Sequence, residues 1–130
     1  MRDQALSLRI LMVDDDTEAH LALQEALEAT GRFEVFMCSD PRAVLGQAKL
    51  LRPDLIVLDI VMPVISGIEV AKRLRVHPDT AAIPILYLTA FADYLEPAEA
   101  QSPRVVSKPV RAPELIRAIQ AALRLPPRSA

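Results

Sequence analysis

Short apolar runs alternate with segments of helical periodicity along this chain, and that alternation limits the folds it can adopt. Continuous apolar runs are typical of strands buried on both faces, and five strands are predicted, at 8–13, 33–38, 55–59, 83–90 and a short segment before Lys108. Helices are predicted between and after them, at 17–30, about 40–51, 68–76 and about 113–124. Strands and helices in alternation form βαβ units, so we predict an α/β protein whose parallel sheet carries helices on both faces.

Several helix boundaries carry their own signals. Asp40 and Pro41 are typical of an N-cap and a first helical residue. Gly31 follows the first helix and is predicted to be its C-cap. His77 precedes a proline and is expected to end the third helix, because the residue before proline avoids helical backbone angles.

Composition narrows the classes of partner and compartment. The 130 residues carry a net charge of −2, which does not favour nucleic acid or an anionic membrane as a partner. No apolar stretch reaches the roughly 18 residues of a membrane span, and the N-terminus lacks the pattern of a signal peptide. Cys38 is the only cysteine, which excludes an internal disulfide and fits a reducing cytoplasm. We expect one cytoplasmic domain at 8–125, with tails at 1–7 and 126–130.

Carboxylates follow two of the predicted strands at the point where each strand ends. Asp14, Asp15 and Asp16 come directly after 8–13, and Asp59 ends 55–59. The carboxyl ends of neighbouring parallel strands meet at one edge of a sheet, where ligands bind. Each pair of like charges about 4 Å apart costs roughly 4 kcal/mol at an effective dielectric of about 20. A divalent cation would offset that repulsion, and ligation by oxygen alone favours Mg²⁺.

Two further strands end in polar residues. Thr89 ends the predicted fourth strand, and Lys108 ends the fifth and is followed by Pro109. The loop after Asp59 contains Met62-Pro63 and closes at Gly67. Polar groups from four strand ends are therefore expected to converge on one acidic site.

This set of motifs resembles the receiver domain of two-component response regulators. The motifs occur in order as VDD, D-x-x-M-P-x-x-x-G, a Thr-Ala pair and a Lys-Pro pair. The spacings agree as well, with 44 residues from Asp15 to Asp59 and 30 from Asp59 to Thr89. The resemblance covers about 8–125 and implies a flavodoxin-like, doubly wound sheet in the order 2-1-3-4-5 with about five helices.

The resemblance implies a phosphoacceptor and a metal site. Asp59 would be the nucleophile that forms an acyl phosphate. Asp15 would bind Mg²⁺ directly and Asp14 partly through water, with Asp59 and the backbone carbonyl of Val61 completing the ligands. Asp16 is expected to cap the first helix rather than to bind the metal.

The resemblance also assigns the residues around the phosphoryl group. Lys108 would place its charge on a phosphate oxygen, and Thr89 would hydrogen-bond the phosphoryl group after transfer. The small side chain of Ala90 would leave the phosphate accessible. The remaining positions shape the turns that aim the site, and they are Met62, Pro63 and Pro109.

The resemblance implies that the protein is a signalling module rather than an enzyme. The phosphoryl donor would be a histidine kinase or a histidine phosphotransfer protein, and output would pass through a downstream protein target or a linked output domain. A homodimer is a further possibility, and no direct contact with nucleic acid or membrane is expected. Catalysis is expected to be limited to self-phosphorylation and self-dephosphorylation. The dephosphorylation is expected to be slow, because Val61 and Phe91 cannot orient an attacking water.

The chain departs from the family pattern between Thr89 and Lys108. These two residues are 19 apart, about three fewer than is usual in the family, and the segment 92–103 contains two prolines, so a short or irregular fourth helix is expected. Val105 stands where the family commonly has Tyr or Phe. A valine cannot swing between buried and exposed ring positions, so we expect the aromatic half of the usual switch to be missing.

Two other functions remain open. The first is a receiver-like module for interaction or dimerisation that works without phosphorylation, which Val105 and the short 92–103 segment favour. The second is a phosphatase of the haloacid-dehalogenase type, which also uses a strand-end aspartate. That family places its nucleophile in D-x-D-x-T at the first strand, whereas the fifth position here is Glu18.

The histidines, the cysteine and three aromatic residues are expected to have structural rather than functional roles. His20 and His77 are expected to lie outside the acidic pocket, solvated on a helix face and at a helix end. Cys38 is expected to act as a small apolar residue in a strand. Tyr87, Phe91 and Tyr94 are expected to serve in packing.

Overall fold

Five parallel strands form one sheet in this protein, whose computed structural model describes residues 7–90 and 105–123. The strands are β1 (Leu8–Val13), β2 (Phe33–Cys38), β3 (Leu55–Asp59), β4 (Ile85–Thr89) and β5 (Val105–Ser107). Their order in the sheet is β2-β1-β3-β4-β5. The predicted α/β class, the parallel sheet and the 2-1-3-4-5 order are confirmed.

Four helices are described around the sheet: α1 (Thr17–Ala29), α2 (Val44–Leu51), α3 (Gly67–Val76) and α4 (Ala112–Ala122). A short 3₁₀ turn, Pro41–Ala43, precedes α2. Among the described residues, no helix has the length and apolar character needed to cross a bilayer.

Several residues at helix boundaries have the capping hydrogen bonds or backbone angles that their sequence positions suggest. The side chain of Asp40 accepts a hydrogen bond from the Arg42 backbone N–H, as expected of an N-cap, but it caps the 3₁₀ turn, and α2 begins only at Val44. Ser66 caps α3 by accepting from the backbone N–H of Glu69. Gly31 adopts a left-handed φ of 75° just beyond α1, and His77 ends α3 with an extended backbone.

Two apolar layers cover the two faces of the sheet. One is built around Leu11, Ile56 and Leu58 with residues of α2 and α3. The other is built around Ile10, Val57 and Leu86 with residues of α1 and α4. Because β1 and β3 are buried on both faces, their continuous apolar sequences match the environment they occupy.

Cys38 lies buried at the end of β2 and forms no disulfide. Its thiol donates to the carbonyl of Asp40 at 3.3 Å, and burial raises the pKa of this thiol above its ordinary value. The expected role as a small apolar residue in a strand is confirmed.

The strand predicted at 83–90 is shorter at both ends. The Ile83 backbone N–H closes a turn by donating to Thr80, at 3.1 Å, so that residue belongs to the connection from α3. Pro84 has no N–H for a sheet ladder, and β4 begins one residue later. The segment 92–103, with its expected irregular helix, and Phe91 and Tyr94 lie outside the described residues.

Candidate functional site

The polar strand-end residues lie at the carboxyl edge of the sheet, next to the point where the strand order reverses. Chain connections leave β1 towards β2 on one side and β3 towards β4 on the other, so a crevice opens between the ends of β1 and β3. Asp14 follows β1, Asp59 ends β3, Thr89 ends β4 and Lys108 follows β5. The prediction that polar residues from four strand ends converge, made from their positions along the sequence, is confirmed.

Three carboxylates come together in that crevice. Asp14, Asp15 and Asp59 each offer an oxygen, and these oxygens lie within 4.8 Å of one another. Asp14 and Asp59 are buried, whereas Asp15 is exposed. An oxygen-only set with this spacing suits a hard cation such as Mg²⁺, which keeps several waters and takes few protein ligands.

Asp14 and Asp15 differ in how much of their hydrogen-bonding capacity is already used. Asp14 Oδ1 accepts the backbone N–H of Asp16 at 2.8 Å. Its Oδ2 accepts from Lys108 Nζ at 2.9 Å and is paired with His20 Nε2 at 3.0 Å. In contrast, no described residue bonds to the carboxylate of Asp15. This difference fits direct metal ligation by Asp15 and largely water-mediated ligation by Asp14.

Lys108 joins the two buried carboxylates. Its ammonium lies 2.9 Å from Asp14 Oδ2 and 3.0 Å from Asp59 Oδ2. The backbone N–H of Lys108 donates to the Thr89 carbonyl at 2.8 Å, which ties the residue to the end of β4. The lysine side chain remains one quarter exposed.

The pKa values in the crevice reflect burial opposed by hydrogen bonds. Burial acts to raise the pKa of Asp14, but hydrogen bonds from Lys108 and Asp16 outweigh burial and leave this pKa lowered. For Asp59 burial prevails, and its pKa is raised despite the bond from Lys108. Burial acts to lower the pKa of Lys108, but its bonds to both carboxylates raise it overall. Lys108 is therefore held in its charged form.

His20 lies in the site, and its predicted place outside the pocket is wrong. Only 5% of its side chain is exposed, and Nε2 contacts Asp14 Oδ2 at 3.0 Å. Burial lowers the pKa of His20, although the charge of Asp14 acts in the opposite direction. Side chains on a helix lean towards its N-terminus, so a residue in the first turn of α1 reaches back to the end of β1. Sequence periodicity gave no sign of this, because the residues before α1 fix its orientation.

The other predicted site residues lie around the crevice. The Val61 backbone N–H donates to Asp59 Oδ1 at 3.3 Å. Thr89 is fully buried, whereas Ala90 is exposed. Met62 is buried, and the exposed residues Pro63 and Pro109 lie in the turns after β3 and β5.

Other residues that were not assigned to metal or phosphoryl binding lie in strand β5, strand β4 and the ends of helices. Val105 begins β5, is partly buried and pairs in register with Tyr87 of β4. The half-buried Tyr87 packs against the core, and its hydroxyl accepts a hydrogen bond from Arg75 at 3.3 Å. His77 lies at the end of α3, as predicted. The capping role of Asp16 stays a prediction.

The loop after Asp59 is closed by a tight backbone contact. The Gly67 N–H donates to the Ile60 carbonyl at 2.8 Å, which brings the start of α3 against the end of β3. A Cβ at this position would overlap the backbone oxygen of Asp59 and approach Ile60 Cα to 2.9 Å. The glycine is therefore required by close approach of two backbone segments.

Val64 in the same loop has a strained backbone. Its φ is +74°, a conformation that costs an L-residue about 1–2 kcal/mol and is unusual for a β-branched side chain. The side chain is 83% exposed and buries little surface in return.

Val64→Gly is therefore expected to raise the free energy of unfolding by roughly 0.5–1 kcal/mol, because relief of strain exceeds the entropy gained by the unfolded chain. Chemical denaturation measures this change. The matched control is Val76→Gly, at an equally exposed valine (82%) in the last turn of α3, which should lower stability. Equal losses in both variants would show that Val64 is not strained.

A comparison with family models matches residues 10–120 to the response regulator receiver domain. Among curated proteins, the phosphate regulon transcriptional regulatory protein PhoB of Rhizobium meliloti is 36% identical over 121 residues, which is 89% of this chain and 52% of that protein. The alkaline phosphatase synthesis regulatory protein PhoP of Bacillus subtilis is 42% identical over 85 residues, 65% of this chain and 34% of that protein. The chain thus spans a third to a half of these relatives.

Solved structures show the same fold. A response regulator from Desulfuromonas acetoxidans superposes with a TM-score of 0.77 at 31% identity, covering 91% of this chain and 98% of that one. The receiver domain of a sensor histidine kinase from Pseudomonas aeruginosa, which has a magnesium ion coordinated in its active-site cleft, superposes with a TM-score of 0.78 at 26% identity. It covers 91% of this chain and 98% of that structure.

Proposed function

Because the chain belongs to the response regulator receiver domain family, we propose that Asp59 is its phosphoacceptor. The carboxylate ends β3 and lies in the crevice, with Oδ1 held by the Val61 N–H and Oδ2 by Lys108. One Asp59 oxygen attacks the phosphorus of a phosphohistidine donor and forms the new P–O bond. The P–N bond of the donor breaks, and its electron pair returns to the imidazole, which takes a proton from solvent. Because the chain belongs to this family, a phosphatase of the haloacid-dehalogenase type is excluded.

We propose that Asp15, Asp14, Asp59 and the Val61 carbonyl hold Mg²⁺. The unused lone pairs of exposed Asp15 and the 4.8 Å clustering of the three carboxylates support this assignment. When bound, Mg²⁺ supplies neutralisation of charge on the nucleophile and on the phosphoryl oxygens. The magnesium in the related Pseudomonas aeruginosa receiver is consistent with it.

We propose that Lys108 moves its charge to the phosphoryl group after transfer. In the structure its ammonium already contacts Asp59 Oδ2 at 3.0 Å, so a phosphoryl group on Asp59 would form beside it. Thr89, at the end of β4, would bind a second phosphoryl oxygen, and the small exposed Ala90 leaves room for it. Output then depends on how the segment after Ala90 responds.

The partners proposed are a histidine kinase or phosphotransfer protein as donor, and a downstream protein or a linked output domain as target. Relatives named as DNA-binding response regulators are about twice as long as the aligned chain, so a linked output domain is a natural candidate. We place the reaction in the cytoplasm. The module acts as a switch whose catalysis is confined to its own phosphorylation and slow dephosphorylation.

A receiver that works without phosphorylation is the second candidate. The observation that favours it is Val105, which is partly buried in β5 and pairs in register with Tyr87. An aliphatic residue there cannot report phosphorylation by ring rotation. The phosphoacceptor chemistry and the coupling to output are therefore separate questions.

Incubation with acetyl phosphate and Mg²⁺, followed by intact-protein mass spectrometry, tests the proposal. The wild-type chain is expected to gain one phosphoryl group and Asp59→Asn none. Asp79→Asn, which changes an exposed aspartate on the connection after α3, should behave as wild type. Equal labelling of Asp59→Asn would overturn the assignment, and absence of labelling in wild type would favour the second candidate.

A further inference from the structure

His20 is a buried imidazole in contact with the proposed metal site, and the assigned chemistry leaves it without a role. It lies on α1, one turn after the aspartates, and only 5% of its side chain is exposed. Burial of a histidine requires a polar partner, and the described one is Asp14 Oδ2 at 3.0 Å from Nε2.

The two ring nitrogens of His20 have different surroundings. Nε2 faces the Asp14 carboxylate, whereas Nδ1 is buried and has no hydrogen-bond partner among the described residues. A buried N–H without an acceptor costs about 1–3 kcal/mol. The Nδ1–H tautomer, which would leave a bare Nε2 facing the carboxylate, is therefore disfavoured. Nε2 carries the proton that is donated to Asp14.

This hydrogen bond fixes the carboxylate most deeply buried in the site, since Asp14 is only 1% exposed. Three donors hold it: the Asp16 backbone N–H, His20 and Lys108. Among the two side-chain donors, Lys108 is 25% exposed and His20 only 5%. When Lys108 moves to a phosphoryl group, as proposed, His20 remains on Asp14 Oδ2.

We propose that His20 is a positioning residue for the Mg²⁺ site. Its Nε2–H holds Asp14 in the orientation that binds the metal and its water, both before and after Lys108 moves. A donor behind a metal-binding group tunes affinity by fixing orientation, and its loss typically weakens metal binding about 10- to 100-fold. The inference rests on the proposed function, because it assumes that Asp14 contributes to a Mg²⁺ site.

Three substitutions distinguish the effect of losing the Nε2–H donor from the effect of losing the volume of the ring. In His20→Gln the amide nitrogen lies near the position of imidazole Nε2 and can still donate to Asp14. In His20→Asn the shorter amide lies near the position of Nδ1 and cannot reach Asp14. His20→Leu keeps an apolar volume and removes every donor.

Mg²⁺ affinity, measured by calorimetric titration of the unphosphorylated protein, is expected to stay within about threefold of wild type for Gln and to fall about tenfold for Asn and Leu. Leu27→Val, in the buried face of α1, controls for loss of stability alone and should leave the affinity unchanged. Equal affinities in all three His20 variants and wild type would overturn the proposal, as would a Gln variant as weak as Leu.

The imidazole ¹⁵N shifts of wild-type protein without Mg²⁺ give an independent readout. A protonated Nε2 is expected at neutral pH, and an Nε2 without a proton would overturn the donor assignment. This measurement needs neither metal nor phosphorylation. Wild-type protein that binds no Mg²⁺ would contradict the proposed metal site itself, which separates that failure from a failure of the role given to His20.

Discussion

Replacing Gly67 by alanine is expected to lower the free energy of unfolding by about 3 kcal/mol, at the upper end of the cost of overpacking. The added Cβ meets backbone atoms of Asp59 and Ile60, which cannot move aside as a flexible side chain would. The structure can accept it only by separating the start of α3 from the end of β3. Because Asp59 is itself part of that contact, phosphorylation by acetyl phosphate should slow in whatever fraction still folds.

Gly46→Ala provides a matched control for this prediction. Gly46 lies exposed within α2, where a Cβ would have no atom within 4 Å. The same substitution there should raise stability by about 0.5–1 kcal/mol, because alanine is the better helix former. Chemical denaturation of the two variants should show effects of opposite sign. A Gly67→Ala protein as stable as wild type would contradict the close approach described at Asp59.

Lys108→Met is expected to destabilise the protein and to make its stability depend on Mg²⁺. Removing the lysine leaves Asp14 and Asp59 without the ammonium that lies 2.9 and 3.0 Å from them. Loss of one partner of a fully buried pair costs about 3–5 kcal/mol. We expect about 2 kcal/mol because the lysine is one quarter exposed. Mg²⁺ should restore much of this loss, and its affinity should rise because no ammonium competes for these oxygens.

The alkaline limb of the stability curve gives a second readout for Lys108. Its pKa is raised in the folded protein, so its contribution to stability is complete below the ordinary lysine pKa of about 10.4 and is lost as pH rises through the folded value. That loss should be smaller in Lys108→Met. Lys72→Met, at an exposed lysine of α3, is the control. Unchanged stability and unchanged Mg²⁺ affinity in Lys108→Met would contradict the role given to this lysine.

Much of the site follows from sequence because parallel strands align their ends. The continuous apolar runs before Asp14 and Asp59 identify two strands buried on both faces, and Thr89 and Lys108 end two more. Once the strands are parallel, their terminal residues must share one edge of the sheet. No detailed packing is needed for this step, which is why it succeeded.

Other features of the site depend on geometry that no periodicity reports. His20 enters the crevice because the turn at Asp14–Asp16 aims the first turn of α1 back towards β1. The left-handed backbone of Val64 and the close approach of Gly67 to Asp59 are likewise set by how the loop between β3 and α3 folds. Lys108 was expected to bind phosphate, and its pairing with Asp14 and Asp59 in the unphosphorylated protein emerges only in three dimensions.

Identification of the phosphorylated residue is the decisive test of Asp59 as the phosphoacceptor. After reaction with acetyl phosphate and Mg²⁺, borohydride reduces an aspartyl phosphate to homoserine, and peptide mass mapping locates the converted residue. Conversion is expected at Asp59 alone. Conversion at Asp14 or Asp15, or at no aspartate in a protein that has gained a phosphoryl group, would contradict it.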